Sequence, residues 1–261
     1  MTDAKENGKK IIVIKTGGKA ASGKQEMACL FREMKQLEGK YSFVFVHGGG
    51  AEVTRVSRIF GLEAQFKDGI RLTTPDEMEI VDMVLSGRMN KEIVRLANSC
   101  GVISAGLSGS DALLFTGKEA GENTQTGRIT EVNPLIIKVL LENSLMPVIS
   151  STSMTAGGTA LNINADEAAL EIASALKAEK LFFISDIPGV MKEGEVINLL
   201  TEKQALDEIS SGVISGGMIP KVKSSIAALK KGVGSIIIGE YCVKGDLSSI
   251  LEGKKGTGIV L

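Results

Sequence analysis

The sequence predicts an α/β fold, a mostly parallel sheet with helices packed on both of its faces. Three observations lead there. Apolar runs of four residues without polar alternation, at 11–14, 43–46 and 181–184, read as strands covered on both sides. Segments with helical apolar spacing, such as Met27, Leu30, Phe31, Met34 and Leu37, alternate with those strands. Several strands end in polar or glycine-rich junctions, and in such sheets ligands gather at the carboxyl ends of the strands.

The first strand, Ile11 to Ile14, runs into Lys15, Thr16, Gly17, Gly18 and Lys19, and a helix follows over Gln25 to Leu37. The second ends in His47-Gly48-Gly49-Gly50 and opens a helix over Ala51 to Phe60. Glycines without Cβ expose peptide N–H groups, and a helix start adds its dipole, so such a junction suits an anion. One junction alone is explained as well by a tight turn. Two of them read as a phosphate cradle if their strands are neighbours.

The segment 61–74 is polar, with a hairpin turn expected at Asp68-Gly69, and it carries Arg71. Pro75 to Ser99 reads as helix with Pro75 in its first turn and Gly87 as a candidate interruption. A strand over Val102 to Leu107, a hairpin-like excursion over Gly117 to Gly127, a helix over Asn133 to Ser144 and a strand over Met146 to Ser150 follow. LNINAD then opens an alanine-rich helix reaching Lys177. The strand Leu181 to Ile184 ends at Ser185 to Gly189, helices are expected over 201–210 and 219–231, and Ser235 to Ile238 is the last strand expected. Two lobes sharing one sheet would divide into 1–176 and 177–261.

A chain of 261 residues with 43% hydrophobic composition can bury a large core. A formal net charge of −1 and the absence of tryptophan give no electrostatic or stacking basis for nucleic acid. Three separated cysteines and one histidine argue against a zinc site or a disulfide framework. No apolar run approaches the ~18 residues of a membrane span, and the polar start has no signal-peptide core, so a soluble cytoplasmic protein is expected.

GKAASGK over 18–24 has P-loop spacing but is followed by Gln25, which lacks the metal-binding hydroxyl of that motif. Lys15 is either a snorkelling strand-end residue or a charge that neutralises a phosphoryl group. Lys221 lies in the first turn of its helix, where a cation opposes the dipole unless an anion is bound nearby, a mild cost that argues for function. In LNINAD, Asn164 or Asp166 can cap the helix, yet Asn162, Asn164 and Asp166 exceed what one cap requires, which favours substrate binding. Asp186 is open between a cap or turn and a contact with a nucleotide or its metal. His47 has no acid partner in sequence and reads as a structural turn residue. Ser108 and Ser110 lack a triad histidine.

The ordered motifs KTGGK, VHGGG, DGIRLTT, GLSGSD, GRITEVNP, NINADEAA, ISDIPGV and GVISGGMIPK resemble the amino-acid-kinase family over essentially the whole chain. The resemblance implies a three-layer αβα sandwich with a mostly parallel sheet of about eight strands. It implies an acyl-amino-acid lobe before an ATP lobe, and transfer of the ATP γ-phosphoryl to the side-chain carboxylate of N-acetyl-L-glutamate in arginine biosynthesis. By motif, Lys15 and Lys221 match transition-state-stabilising lysines and Asp166 the aspartate that organises them. Gly49, Gly50, Arg71 and Asn162 match substrate-binding positions. Gly17, Gly18, Asp186, Gly189, Val190, Met191, Val213, Ser215 and Gly217 match nucleotide-binding positions, with Mg2+ carried by ATP rather than held by a protein metal site. Lys19 departs from the family by adding charge beside the first glycine pair. The short polar start does not match the interlacing helix of hexameric, arginine-inhibited members, so a homodimer is expected. The nearest rival on this fold acts on acetylaminoadipate; a more distant one is a non-catalytic nucleotide sensor.

Overall fold

Unbroken apolar runs can be strands only if helices cover both their faces, and that is how the computed structural model is built; it describes residues 8–17, 23–67 and 70–261. The chain begins β1 (Lys10–Thr16), α1 (Lys24–Leu37), β2 (Tyr41–His47) and α2 (Gly50–Ile59), then the pair β3 (Gln65–Lys67) and β4 (Ile70–Leu72). Helix α3 (Pro75–Asp82) passes through a π-helical stretch, Met83–Met89, into α4 (Asn90–Ser99). Next come β5 (Ser104–Leu107), β6 (Phe115–Glu119), β7 (Thr126–Val132), α5 (Leu135–Glu142), β8 (Met146–Ser150), β9 (Thr152–Thr155), β10 (Ala160–Ile163) and α6 (Ala165–Ala175). The remainder is β11 (Lys180–Ile184), β12 (Met191–Lys192), β13 (Glu195–Val196), β14 (Leu199–Thr201), α7 (Glu202–Ser210), α8 (Met218–Lys230), β15 (Ser235–Gly239), α9 (Asp246–Leu251) and β16 (Thr257–Val260).

Eight strands form the main sheet in the order β14-β16-β15-β11-β1-β2-β8-β5. All neighbours are parallel except β15 with β16. Alternate residues of each strand face opposite layers. Ile12, Ile14, Phe43, Phe45 and Phe182 pack with α1, α4 and α9, whereas Val13, Val44, Val46, Leu181 and Phe183 pack with α6 and α8. Phe45 is fully buried with its ring centroid 5.3 Å from that of Phe31, so truncating it to alanine would cost about 3–5 kcal/mol. The three-layer sandwich and its eight strands are as expected.

Four short strands, β6, β7, β9 and β10, close into a second small sheet, with β9 separated from the carboxyl end of β8 by Ser151 alone. Only the β6–β7 hairpin of this sheet was expected. The strand Ser235 to Ile238 is not the last: β16 follows it and pairs antiparallel to β15. Its TGIV sequence is short and contains a glycine, too weak a pattern to read as a strand. Gly87 does not break its helix, because the wide π turn absorbs it. Pro134 sits at the cap of α5. The strands flanking Asp68-Gly69 pair antiparallel, while the turn itself lies outside the described residues. Among the described residues no helix is long and apolar enough to cross a membrane.

Candidate active site

Strand order brings the two glycine junctions together. β1 and β2 are adjacent and parallel, with Lys15 beside Val46 and Thr16 beside His47, and on its other side β1 pairs with β11, Lys15 beside Phe183. The Lys15 side chain therefore leaves the sheet between a glycine loop and the start of α6. Asn164 caps that helix: its side-chain oxygen accepts from the backbone N–H of Asp166 at 2.8 Å and of Glu167 at 3.4 Å. The capping role, open in the sequence between Asn164 and Asp166, thus falls to Asn164 and leaves the Asp166 carboxylate free.

That carboxylate bridges both lysines. Lys15 Nζ lies 2.6 Å from Asp166 Oδ1 and Lys221 Nζ 3.2 Å from Oδ2. Lys221 projects from the first turn of α8, and its ammonium stands over the ring of Phe183, 5.2 Å from the centroid. Asp166 is the anion that relieves the unfavourable dipole position of Lys221. Burial pushes the Asp166 carboxyl up, but the charges of Lys15 and then Lys221 outweigh it and hold the group below the usual carboxylate range. It stays ionised at neutral pH, and its contribution to stability is lost only as pH falls through that lowered value.

Lys15 and Asp166 line a cavity of about 260 Å³ together with Gly17, Gly48, Gly49, Gly50, Arg71 and Asn162, and Lys221 stands behind Asp166, outside the lining. A Cβ on Gly17 would fall 2.5 Å from Lys15 Nζ, so glycine makes room for the ammonium. A Cβ on Gly49 would fall 2.3 Å from Met89 Sδ, so glycine lets the loop pack against the π-helical stretch. Arg71 is buried, its guanidinium donating to Glu77, to the Gly50 carbonyl at 3.0 Å and to Thr54, with the Phe66 ring centroid 4.9 Å away. Asn162 donates to Thr73 Oγ1 at 2.8 Å. His47 is buried, and burial first of all brings its pKa down to about 4. Its Nδ1 bonds the Gly48 carbonyl at 3.0 Å and its Nε2 the Asn90 amide at 3.1 Å, an arrangement in which the neutral ring braces the loop. The structural reading of His47 holds, and Asn90 is a partner that the sequence did not point to.

The nucleotide candidates fall at the carboxyl end of β11 and before α8. Asp186 is exposed and no helix starts after it, so it is not a helix cap. Gly189 packs against Thr257 and Val196, and the Val190 amide donates to Thr257 Oγ1 at 2.8 Å. Val190 is buried and Val213 packs against the same apolar cluster. Met191 is exposed in β12, Ser215 and Gly217 are exposed in the turn before α8, and Gly217 is that helix's cap. Gly18 lies outside the described residues, as does Lys19. Lys24 is exposed at the first position of α1. Arg128, Thr126, Gly127, Ser151 and Asn164 also line the cavity; of these only Asn164 stood out in the sequence. Arg128 could have been found from its place in GRITEVNP, but a lone arginine in a polar strand carries no local signal.

The model of the amino acid kinase family matches residues 10–240. Acetylglutamate kinase of Parasynechococcus marenigrum is 42% identical over 230 residues, covering 85% of this chain and 78% of its own. That of Bacillus pumilus is 38% identical over 257 residues, 96% of either chain. Among solved structures, carbamate kinase from Giardia lamblia bound to AMP-PNP superposes with a TM-score of 0.71 at 16% identity, covering 98% of this chain and 99% of that one. At that identity the likeness concerns the fold.

Proposed function

The chain belongs to the amino acid kinase family, and from that premise we propose that it transfers the γ-phosphoryl group of ATP to the side-chain carboxylate of N-acetyl-L-glutamate, a step of arginine biosynthesis. The observation that carries this reading is the convergence of Lys15 and Lys221 on the two oxygens of Asp166, with Lys15 and Asp166 lining a glycine-rich cavity. A carboxylate acceptor is already ionised at neutral pH and needs no general base. The chain's one histidine is buried with both ring nitrogens engaged, which suits a reaction without one. What the reaction requires is in-line placement and neutralisation of charge on the moving phosphoryl group.

In this reading Lys15 and Lys221 draw off that charge, and Asp166 holds the two ammonium groups at a fixed spacing instead of letting them repel. The amides of Gly49 and Gly50 face the acceptor carboxylate, and Arg71 with Asn162 receives the α-carboxylate and acetamido end. Three of the five Arg71 donors are engaged by protein, which leaves two for substrate. The nucleotide enters as its magnesium complex against Asp186, Gly189, Val190, Met191, Val213, Ser215 and Gly217, with Gly17 at its γ-phosphate. Residues 1–176 then serve the acyl substrate and 177–261 the nucleotide, in a homodimeric cytoplasmic enzyme.

The test is coupled ADP release with ATP, Mg2+ and either N-acetyl-L-glutamate or its one-carbon-longer homologue. Turnover with the former at a kcat/KM at least about tenfold higher supports the proposal, that being the scale on which one methylene is discriminated. Preference for the longer acid assigns the chain to the acetylaminoadipate reaction, and ATP binding without turnover on either makes it a sensor.

A further inference from the structure

The histidine that the reaction does not need as a base stands just behind the cavity. Alternate residues of β2 face opposite layers, so His47 follows Phe43 and Phe45 toward α1 and α4, whereas Lys15 and Asp166 meet on the α6 side. His47 and Asn90, the first residue of α4, are both buried.

Each bond in this pair runs one way. The Asn90 side-chain oxygen accepts from the Lys91 ammonium at 3.1 Å, and its Nδ2 donates to the Val148 carbonyl at 2.9 Å and to that of Leu107 at 3.4 Å. The same Nδ2 lies 3.1 Å from His47 Nε2, which must therefore be the bare, accepting nitrogen. The proton of the neutral ring is then on Nδ1, which donates it to the Gly48 carbonyl at 3.0 Å. A carbonyl cannot donate, so both ends of the chain select one tautomer.

The Gly48 carbonyl belongs to the peptide unit that carries the Gly49 N–H, and in a planar trans peptide the two point opposite ways. With the carbonyl pinned to the ring on the α4 side, the N–H turns to the α6 side, into the cavity that Gly49 lines with Lys15 and Asp166. Among the described residues that N–H has no backbone acceptor. A Cβ on Gly48 would fall 3.1 Å from that of Ala165, so the loop packs against the residue before Asp166.

We infer that His47 is a positioning residue for phosphoryl transfer: held in one tautomer by Asn90, its ring sets the Gly48–Gly49 peptide and aims the Gly49 amide at the acceptor carboxylate. This rests on the reaction proposed above. A donor fixed in advance costs no reorganisation when charge moves.

The experiment compares wild type with His47→Asn, whose Nδ2 takes the place of Nδ1, and with His47→Gln, whose amide takes the place of Nε2 and leaves the Gly48 carbonyl without its donor. Each is assayed by coupled ADP release with ATP, Mg2+ and N-acetyl-L-glutamate saturating, and urea titration checks that each is folded. In His47→Gln kcat falls by about 10- to 100-fold, the scale on which a misplaced reacting group is felt. In His47→Asn it stays within about threefold of wild type, and KM for ATP changes less than about threefold in either. Asn90→Ala leaves the ring itself in place and carries the test if His47→Gln does not fold. It lowers kcat about tenfold beside His47 and less than about twofold in the His47→Asn background, where no ring remains to be held. Equal losses in His47→Asn and His47→Gln, a kcat of His47→Gln within threefold of wild type, or an equal cost of Asn90→Ala in both backgrounds overturns the role of His47 while the reaction stands. A wild type inactive on N-acetyl-L-glutamate overturns the reaction, and this inference with it, before any variant is measured.

Discussion

Replacing Gly17 with alanine separates stability from catalysis. The added Cβ would lie 2.5 Å from Lys15 Nζ. A carbon and a nitrogen in van der Waals contact sit about 3.5 Å apart, so the ammonium must retreat by about 1 Å. From 2.6 Å, that displacement carries the Lys15–Asp166 pair to the limit of a hydrogen bond. A misplacement of about 1 Å in a reacting constellation costs about 100-fold in rate, or about 2.7 kcal/mol of transition-state stabilisation. The backbone cost is small, because Gly17 is not among the glycines with positive φ and the atom it meets is the end of a flexible side chain. Alanine there also restricts the unfolded chain, a gain of about 0.4–1 kcal/mol. The expected result is a kcat lowered about 100-fold by coupled ADP release, with a melting temperature at or slightly above that of wild type. In a Lys15→Met background the same substitution should cost nothing further in rate. A kcat within threefold of wild type would refute the reasoning, as would equal losses in the two backgrounds.

Two further predictions concern stability. His47 is held near pKa 4 when folded and returns to about 6.5 when unfolded. Between those values the unfolded chain binds a proton that the folded chain refuses, so stability falls as pH drops from 6.5 to 4, by about 2 kcal/mol at pH 5. Urea titrations at pH 5 and 7 should show this loss in wild type and its absence in His47→Gln; parallel losses would refute it. Glu77→Ala leaves the buried Arg71 guanidinium uncompensated and should cost about 3–5 kcal/mol in urea unfolding. A cost under 1 kcal/mol would show that Arg71 is not balanced as described.

Features carried by local pattern were legible in the sequence. The strands bearing Val13, Phe45 and Phe183 announced themselves because each is apolar on both faces, and the glycine junctions because Gly48 to Gly50 follow one without a break. The oddity of Lys221, a cation in a first helical turn, pointed to a bound anion, whereas the negative charge beside it in the structure is the Asp166 carboxylate of the chain itself. What escaped depended on contacts distant in sequence or on weak local signals. β16 and, in the small closed sheet, β9 and β10 are only four residues each, and only their pairing makes them strands. The bonds of Asn90 to His47 and of Glu77 to Arg71 follow from how α3 and α4 dock, which no spacing within either helix reveals. The choice of Asn164 over Asp166 as cap rests on backbone geometry at the start of α6, to which both residue types are suited.

The central claim is that two ammonium groups gathered by one carboxylate stabilise a phosphoryl group in flight. Its most direct test is the single-turnover rate of phosphoryl transfer in Lys15→Ala and Lys221→Ala, with both substrates saturating and their affinities measured by calorimetry. Each variant should lose about 10²- to 10³-fold in the transfer rate, the scale of one lost electrostatic stabiliser, while either affinity changes less than tenfold. A transfer rate within threefold of wild type in either variant would contradict the account.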